Sequence, residues 1–296
     1  MTDASEPPEA APTAGAPSGD VLPEPAKKSR AGRNLPAAIG VGLFLFVGLI
    51  LLPIYLAPPV FIAIVLAAAL VGLREIQLAL TSRGIEIPLV PLAAGTAGMV
   101  LGAAFADVPG LLVAYALTVV VTMLWRLSGP VEGYLRDTSA ALFAASYLSL
   151  MISFAVLMVQ QDQGAAWIVV FILTAVCSDV GGYAAGVLFG RHPMSPRISP
   201  KKSWEGFGGS VVFCVAAGIG SSVVLLDLPW WQGAVIGLAL VVTAVLGDLV
   251  ESAIKRDLGI KDMGSLLPGH GGLIDRLDSL LLSAPVAWLL LTVFVA

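Results

Sequence analysis

The chain has 296 residues, 57% of them hydrophobic and only 12% charged, with a formal net charge of −4 and a mean hydropathy of +0.92. Soluble domains carry roughly 25% charged residues, so this composition excludes a soluble globule and predicts an all-α, polytopic integral membrane protein. The two cysteines, Cys177 and Cys214, both lie inside apolar runs and read as small buried hydrophobes.

Residues 1–34 are rich in Ala, Pro, Ser and Gly and almost lack large apolar side chains. Such a segment cannot bury enough surface to offset its ordering entropy, so a disordered tail is expected. A cleaved signal peptide would place a short apolar stretch near residue 10, and none stands there. Lys27, Lys28, Arg30 and Arg33 precede the first apolar run and read as a cytoplasmic anchor against anionic lipid.

The remainder, 35–296, is expected to form one transmembrane domain. Nine apolar spans follow, over 36–56, 59–80, 85–106, 109–127, 138–159, 165–189, 207–226, 230–250 and 277–296. Lys and Arg fall on alternate connections: Arg74 with Arg83, Arg126 to Arg136, Arg191 to Lys202, and Lys255 to Arg276. The intervening turns at Ala57–Pro59, Asp107–Pro109, Gln160–Gln163 and Asp227 carry none. This alternation is independent of hydropathy, and it predicts nine helices with the N-terminus cytoplasmic and the C-terminus outside. No internal repeat suggests the pseudo-symmetry common in secondary transporters.

Polar residues concentrate late in the chain. Asp179 lies about 15 Å into its span, taking 1.5 Å per residue, and must face protein or a water-filled cavity. Tyr183 and Gly186 share its face, while Gly182, Gly186 and Gly190 form a small-residue row suited to helix packing. The loop Ser199-Pro-Lys201-Lys202-Ser203-Trp-Glu205-Gly206 sets two ammonium groups between hydroxyls, a pattern that suits phosphate oxygens. Ordinary solvated positive-inside lysines remain the alternative there.

The block from Asp248 to Asp278 is denser still. Asp248, Ser252 and Lys255 stand at i, i+4 and i+7, one stripe of the eighth helix, with Asp248 about 10 Å into the apolar layer. Arg256, Lys261 and Asp262 follow, then Pro268 to Gly272, a turn whose backbone amides can approach an anion closely. His270 within it reads as a loop hydrogen-bonder rather than a metal ligand. Asp275, Arg276 and Asp278 open the ninth helix, where acidic side chains also favour the helix terminus itself. Capping alone does not account for Asp248 approaching from the neighbouring helix. Carboxylates from two helices, ringed by Lys and Arg, suit Mg²⁺ carrying phosphates, whereas zinc fits poorly with both cysteines remote.

These residues resemble the phosphatidate cytidylyltransferase (CDP-diacylglycerol synthase) family. Its signature reads Ser-x-x-Lys-Arg, four residues, Lys-Asp, a Pro-Gly-His-Gly-Gly turn and Asp-Arg-x-Asp, matched here by Ser252, Lys255, Arg256, Lys261, Asp262, Pro268 to Gly272, Asp275, Arg276 and Asp278. The Ser-Pro-Lys-Lys-Ser-x-Glu-Gly run at 199–206 and the Asp179–Tyr183 pair are similar to family features, so the resemblance is strong over 165–280. It implies transfer of CMP from CTP to phosphatidic acid at the cytoplasmic face of the inner membrane, with Asp248, Lys255, Asp275 and Asp278 catalytic. It implies Asp248 and Asp275 as Mg²⁺ ligands, with Asp278 close behind, and in some members a monovalent cation such as K⁺. Substrate contacts are expected from Asp179, Ser199, Lys201, Lys202, Ser203, Glu205, Ser252, Arg256, Lys261, Asp262, His270 and Arg276. A homodimer embedded in the lipid bilayer is implied, with no nucleic-acid partner.

Two rivals share some of these features. A CTP-dependent polyprenol or phytol kinase would have a lipid alcohol as acceptor and would need a group to take the hydroxyl proton. A cation-coupled transporter would use Asp179 and Asp248 as a relay, leaving the Lys, Arg and Gly loops without a task.

Overall fold

The computed structural model describes residues 57–264 and 271–295. The expected tail over 1–34, the first span over 36–56 and His270 lie outside the described residues. Among the described residues, seven helices are long and apolar enough to cross a membrane. They are α1 (Pro58–Thr81), α2 (Leu89–Arg126), α3 (Tyr134–Val159), α4 (Gly164–Phe189), α5 (Trp204–Leu226), α6 (Trp230–Asp257) and α7 (Ile274–Val295).

Helix α2 is two spans joined at a break. Ala106 (φ −138°, ψ 19°) and Asp107 (φ 53°, ψ −149°) leave helical geometry, and Pro109 follows. The two limbs then fold back on each other. Gly95 lies against Thr118, a Cβ on Gly98 would sit 3.6 Å from that of Ala114, and a Cβ on Gly102 would sit 2.6 Å from the Gly110 carbonyl oxygen. These three pairs step along both limbs in antiparallel register, so the small residues allow the close approach. The spans expected over 85–106 and 109–127 correspond to these limbs.

Other helix pairs use the same device. Gly181 and Gly182 of α4 pack on Gly209 and Ser210 of α5, and Gly186 packs on Gly206. Gly218 of α5 meets Gly233 and Gly237 of α6, and Gly247 of α6 meets the backbone at Asp278 of α7. Helix α3 is irregular: its middle, Ala145–Leu150, is a π-helical turn. Between α4 and α5 the chain forms an antiparallel hairpin, β1 (Pro193–Ser195) with β2 (Ser199–Ser203), where sequence reading places an irregular loop.

The helix ends sort into two groups. At one end, Arg83 after α1 donates from Nε to the Leu258 carbonyl at 2.5 Å, stapling the end of α6. Arg126, at the end of α2, pairs with Asp137 of α3 at 2.9 Å. Arg256 of α6 donates to the Ile198 carbonyl of the hairpin at 3.2 Å. At the other end, Gln160 after α3 donates to the Ala104 carbonyl beside the break in α2. The basic connections therefore share one side of the bundle.

Candidate active site

Three segments build the site: the hairpin with the start of α5, the last two turns of α6, and the start of α7. Helix α5 starts at Trp204 because Ser203 caps it, its Oγ accepting from Gly206 N at 3.1 Å. Helix α6 continues to Asp257, past the span expected over 230–250, and this carries Lys255 on regular helix beside Asp248 and Glu251. Helix α7 starts at Ile274, so Asp275 and Asp278 both stand in its first turns.

The start of α7 is held from outside. Glu75 of α1 is buried and accepts from Leu273 N at 2.9 Å and from Ile274 N at 3.0 Å. These are unpaired donors of a helix N-terminus, so α1 supplies the cap that α7 lacks in its own sequence. Sequence reading gave Glu75 no role.

Ligand oxygens of Asp248, Glu251 and Asp278 lie within 4.8 Å of one another. Lys202 Nζ stands 2.7 Å from Asp248 Oδ2 and donates to the Val245 carbonyl at 3.1 Å. Ser252 Oγ donates to Asp248 Oδ1 at 3.2 Å. Lys255 Nζ bridges Glu251 Oε2 at 2.7 Å and Asp275 Oδ1 at 2.8 Å. Glu251 is fully buried, and its Oε1 has no hydrogen-bond partner.

The pair expected to share a cation was Asp248 and Asp275. Asp275 adjoins the trio through Lys255 and has protein donors: Oδ2 accepts from Met263 N at 2.9 Å and Gly272 N at 2.8 Å, and Oδ1 accepts from Lys255 Nζ at 2.8 Å. The position that joins Asp248 and Asp278 is Glu251. Its signal was its place three residues after Asp248, on the same helical face.

A cavity of about 310 Å³ opens beside the trio, lined by Asp179, Tyr183, Ser199, Lys201, Lys202, Ser203 and Asp248. The structure thus brings the predicted hairpin residues to Asp179 and Asp248. A second cavity, of about 880 Å³, is lined by Arg74, Glu75, Lys261 and Asp262, with Val71 and Leu78 on its apolar flank. Charged groups connect the two, running from Lys202 through Asp248, Glu251, Lys255 and Asp275 to Met263 at the rim of the second. Arg276 is exposed on the first turn of α7.

Two expected substrate contacts have other partners. Glu205 accepts from Arg191 N at 3.1 Å and His192 N at 3.2 Å and pairs with His192 Nδ1 at 2.5 Å, which fastens the base of the hairpin. Arg256 reaches the hairpin backbone instead of the cavities.

The trio fits a hard divalent cation. Three carboxylates from two helices face two lysines, and Oε1 of buried Glu251 has no hydrogen-bond partner. Carboxylates gathered this closely repel one another, and an oxygen-seeking cation offsets that cost. Basic groups at both cavities suit phosphate-bearing ligands.

The cytidylyltransferase family matches residues 38–294. The phosphatidate cytidylyltransferase of Mycobacterium bovis is 48% identical over 279 residues, covering 89% of this chain and 90% of the relative. That of Mycobacterium leprae is 46% identical, with 89% of each chain covered. The chloroplastic phosphatidate cytidylyltransferase 5 of Arabidopsis thaliana is 30% identical, over 90% of this chain and 74% of its own.

Proposed function

This chain belongs to the cytidylyltransferase family, and from that premise we propose how its site works. The enzyme is a nucleotidyltransferase that moves CMP from CTP to phosphatidic acid, giving CDP-diacylglycerol and pyrophosphate. A phosphate oxygen of phosphatidate attacks the α-phosphorus of CTP; a new P–O bond forms and the bond to the β-phosphate breaks. The acceptor phosphomonoester, with a second pKa near ~6, is already ionised at neutral pH, so no strong general base is needed. The obstacle is bringing two polyanions together.

The observation that carries the residue assignments is the carboxylate trio with cationic ends on either side. Asp248, Glu251 and Asp278 would hold Mg²⁺, and the chemistry it would supply there is neutralisation of phosphate oxygens. A monovalent companion such as K⁺ rests on the family resemblance alone. Lys201 and Lys202 neutralise phosphate at the hairpin cavity, and Lys261 with Arg74 does so at the second. Ser203 Oγ accepts from Gly206 N, which leaves its O–H to donate to phosphate. Lys255 keeps Glu251 and Asp275 in place from between them. Two cationic ends joined by one charged track suit two phosphate-bearing substrates meeting at the trio.

We extend the proposal to topology and assembly. The seven apolar helices, one folded into two limbs, make eight segments among the described residues; the apolar run over 36–56 makes nine. The N-terminus then lies in the cytoplasm, the C-terminus outside, and the site at the cytoplasmic face of the inner membrane. A homodimer completes the reading.

The test is an assay of purified protein with labelled CTP, Mg²⁺ and either phosphatidic acid or a polyprenol. Label entering lipid with phosphatidic acid alone, and lost in both Asp248→Asn and Asp278→Asn, is the expected result. Full turnover in the two variants would remove these carboxylates from the scheme.

A further inference from the structure

Sequence reading counts Arg74 with the basic connection after its span, yet it stands inside α1, which runs on to Thr81. At 1.5 Å per residue that is about 10 Å short of the helix end. Val71, Arg74 and Leu78 are all exposed and stand at i, i+3 and i+7, so the guanidinium lies on an apolar stripe that α1 turns outward. Among the described residues its side chain bonds only to Gln77, and no carboxylate pairs with it. A charge on the lipid side of a span is costly unless something polar meets it. From such a depth a long basic side chain reaches the level of lipid phosphates.

The same stripe lines the second cavity, of about 880 Å³, together with Lys261. Two carboxylates also line it, and both are turned to the start of α7. Glu75 accepts from Leu273 N and Ile274 N, and Asp262 Oδ1 lies against Gly271, where a Cβ would meet it at 3.6 Å. Arg74 and Lys261 are left as cations with no acidic partner among the described residues. The hairpin cavity differs: it is smaller, about 310 Å³, and its Lys202 is already paired with Asp248 of the trio.

We propose that the second cavity is the phosphatidate site, with Arg74 and Lys261 on the lipid phosphate and the acyl chains along Val71 and Leu78. The lipid enters sideways from the bilayer, and the hairpin cavity is left to the triphosphate of CTP. The inference rests on the proposed reaction and says which substrate each cavity takes. Met263, at the wall of the second cavity, donates to Asp275, which Lys255 joins to Glu251, so the acceptor sits against the framework of the trio. A guanidinium fork matched to a phosphomonoester separates phosphatidate from a lipid alcohol.

Arg74→Gln removes a charge from an exposed side chain, so the unfolding temperature in detergent is expected to stay at the parent value. In mixed micelles of detergent and phosphatidic acid, KM for the lipid is expected to rise about tenfold or more, with KM for CTP and kcat near parent values. Arg74→Lys is expected to recover part of the loss. Native mass spectrometry of the full chain reads binding without turnover: the parent is expected to retain phosphatidic acid over phosphatidylcholine, and Arg74→Gln to lose that preference. Retained phosphatidic acid with no transfer of CMP would support the lipid site while sinking the proposed reaction. A rise in KM for CTP instead of the lipid, or no change in either, would overturn the inference. So would glycerol 3-phosphate competing as strongly as the lipid, because it has no chains to lie on the apolar wall.

Discussion

Lys255 and Lys202 both pair with carboxylates of the same cluster, yet their surroundings differ. Lys255 is 17% exposed and sits between Glu251 at 0% and Asp275 at 4%, whereas Lys202 at 23% meets Asp248 at 36%. Removing one partner of a buried pair strands its charge and costs about 3–5 kcal/mol, while an open pair contributes about 0–1. Lys255→Met is therefore expected to lower unfolding stability by about 3–5 kcal/mol along with activity. Lys202→Met is expected to lose activity with stability nearly unchanged. Denaturation of both variants in the same detergent checks this, and equal destabilisation would contradict it. At this scale the sequence was informative about which residues gather and poor on which atoms meet. The stripe of Asp248, Ser252 and Lys255 follows from helical spacing, and the hydrogen bond between the first two agrees with it. The orientation of Asp275 does not follow from spacing, because the Met263 amide and the Lys255 ammonium, both earlier in the chain than its own turn, help decide it.

Among whole elements, the last helix depends on the first described one. Helix α7 carries two of the site's carboxylates, and its first amides are bound by Glu75, nearly 200 residues earlier in the chain. Each buried N–H left without its acceptor costs about 1–3 kcal/mol. Glu75→Ala is expected to destabilise the protein by that amount for each of the two donors and to reduce turnover by loosening Asp275 and Asp278. Glu75→Gln keeps one carbonyl acceptor and should recover part of both. Parent-like stability in Glu75→Ala would refute the cap. Periodicity and hydropathy located the spans but not this dependence, since a cap supplied from another helix leaves no local signature at Ile274. The π turn of α3 was hidden for a related reason: it changes hydrogen-bond register without changing hydropathy. The break in α2 was legible because Asp107 and Pro109 interrupt an otherwise apolar run.

For the whole molecule, the expected charge alternation and the observed grouping of helix ends are separate observations that describe one arrangement. Arg83 and Arg256 fasten the ends of α1 and α6 to the same region as the hairpin, while Gln160 joins the break in α2 at the opposite end. Lys and Arg in short loops stay cytoplasmic, so the proposed topology puts the end bearing Arg83, the hairpin and Lys261 in the cytoplasm. Single cysteines placed in a variant lacking Cys177 and Cys214 test this directly. Cysteines at Arg197 and Lys261 are expected to react with an impermeant maleimide only in inside-out vesicles, and cysteines at Asp162 and Asp227 only in right-side-out ones. Cys214 needs a small replacement, because it is fully buried and its thiol donates to the Thr174 carbonyl at 3.2 Å. Labelling at Arg197 and Asp162 from the same side would break the alternation, and with it the placement of both cavities where CTP can reach them. The topology therefore bears on the chemistry: a water-soluble nucleotide can meet a membrane-held phosphatidate only if the charged end of the bundle faces the compartment that contains CTP.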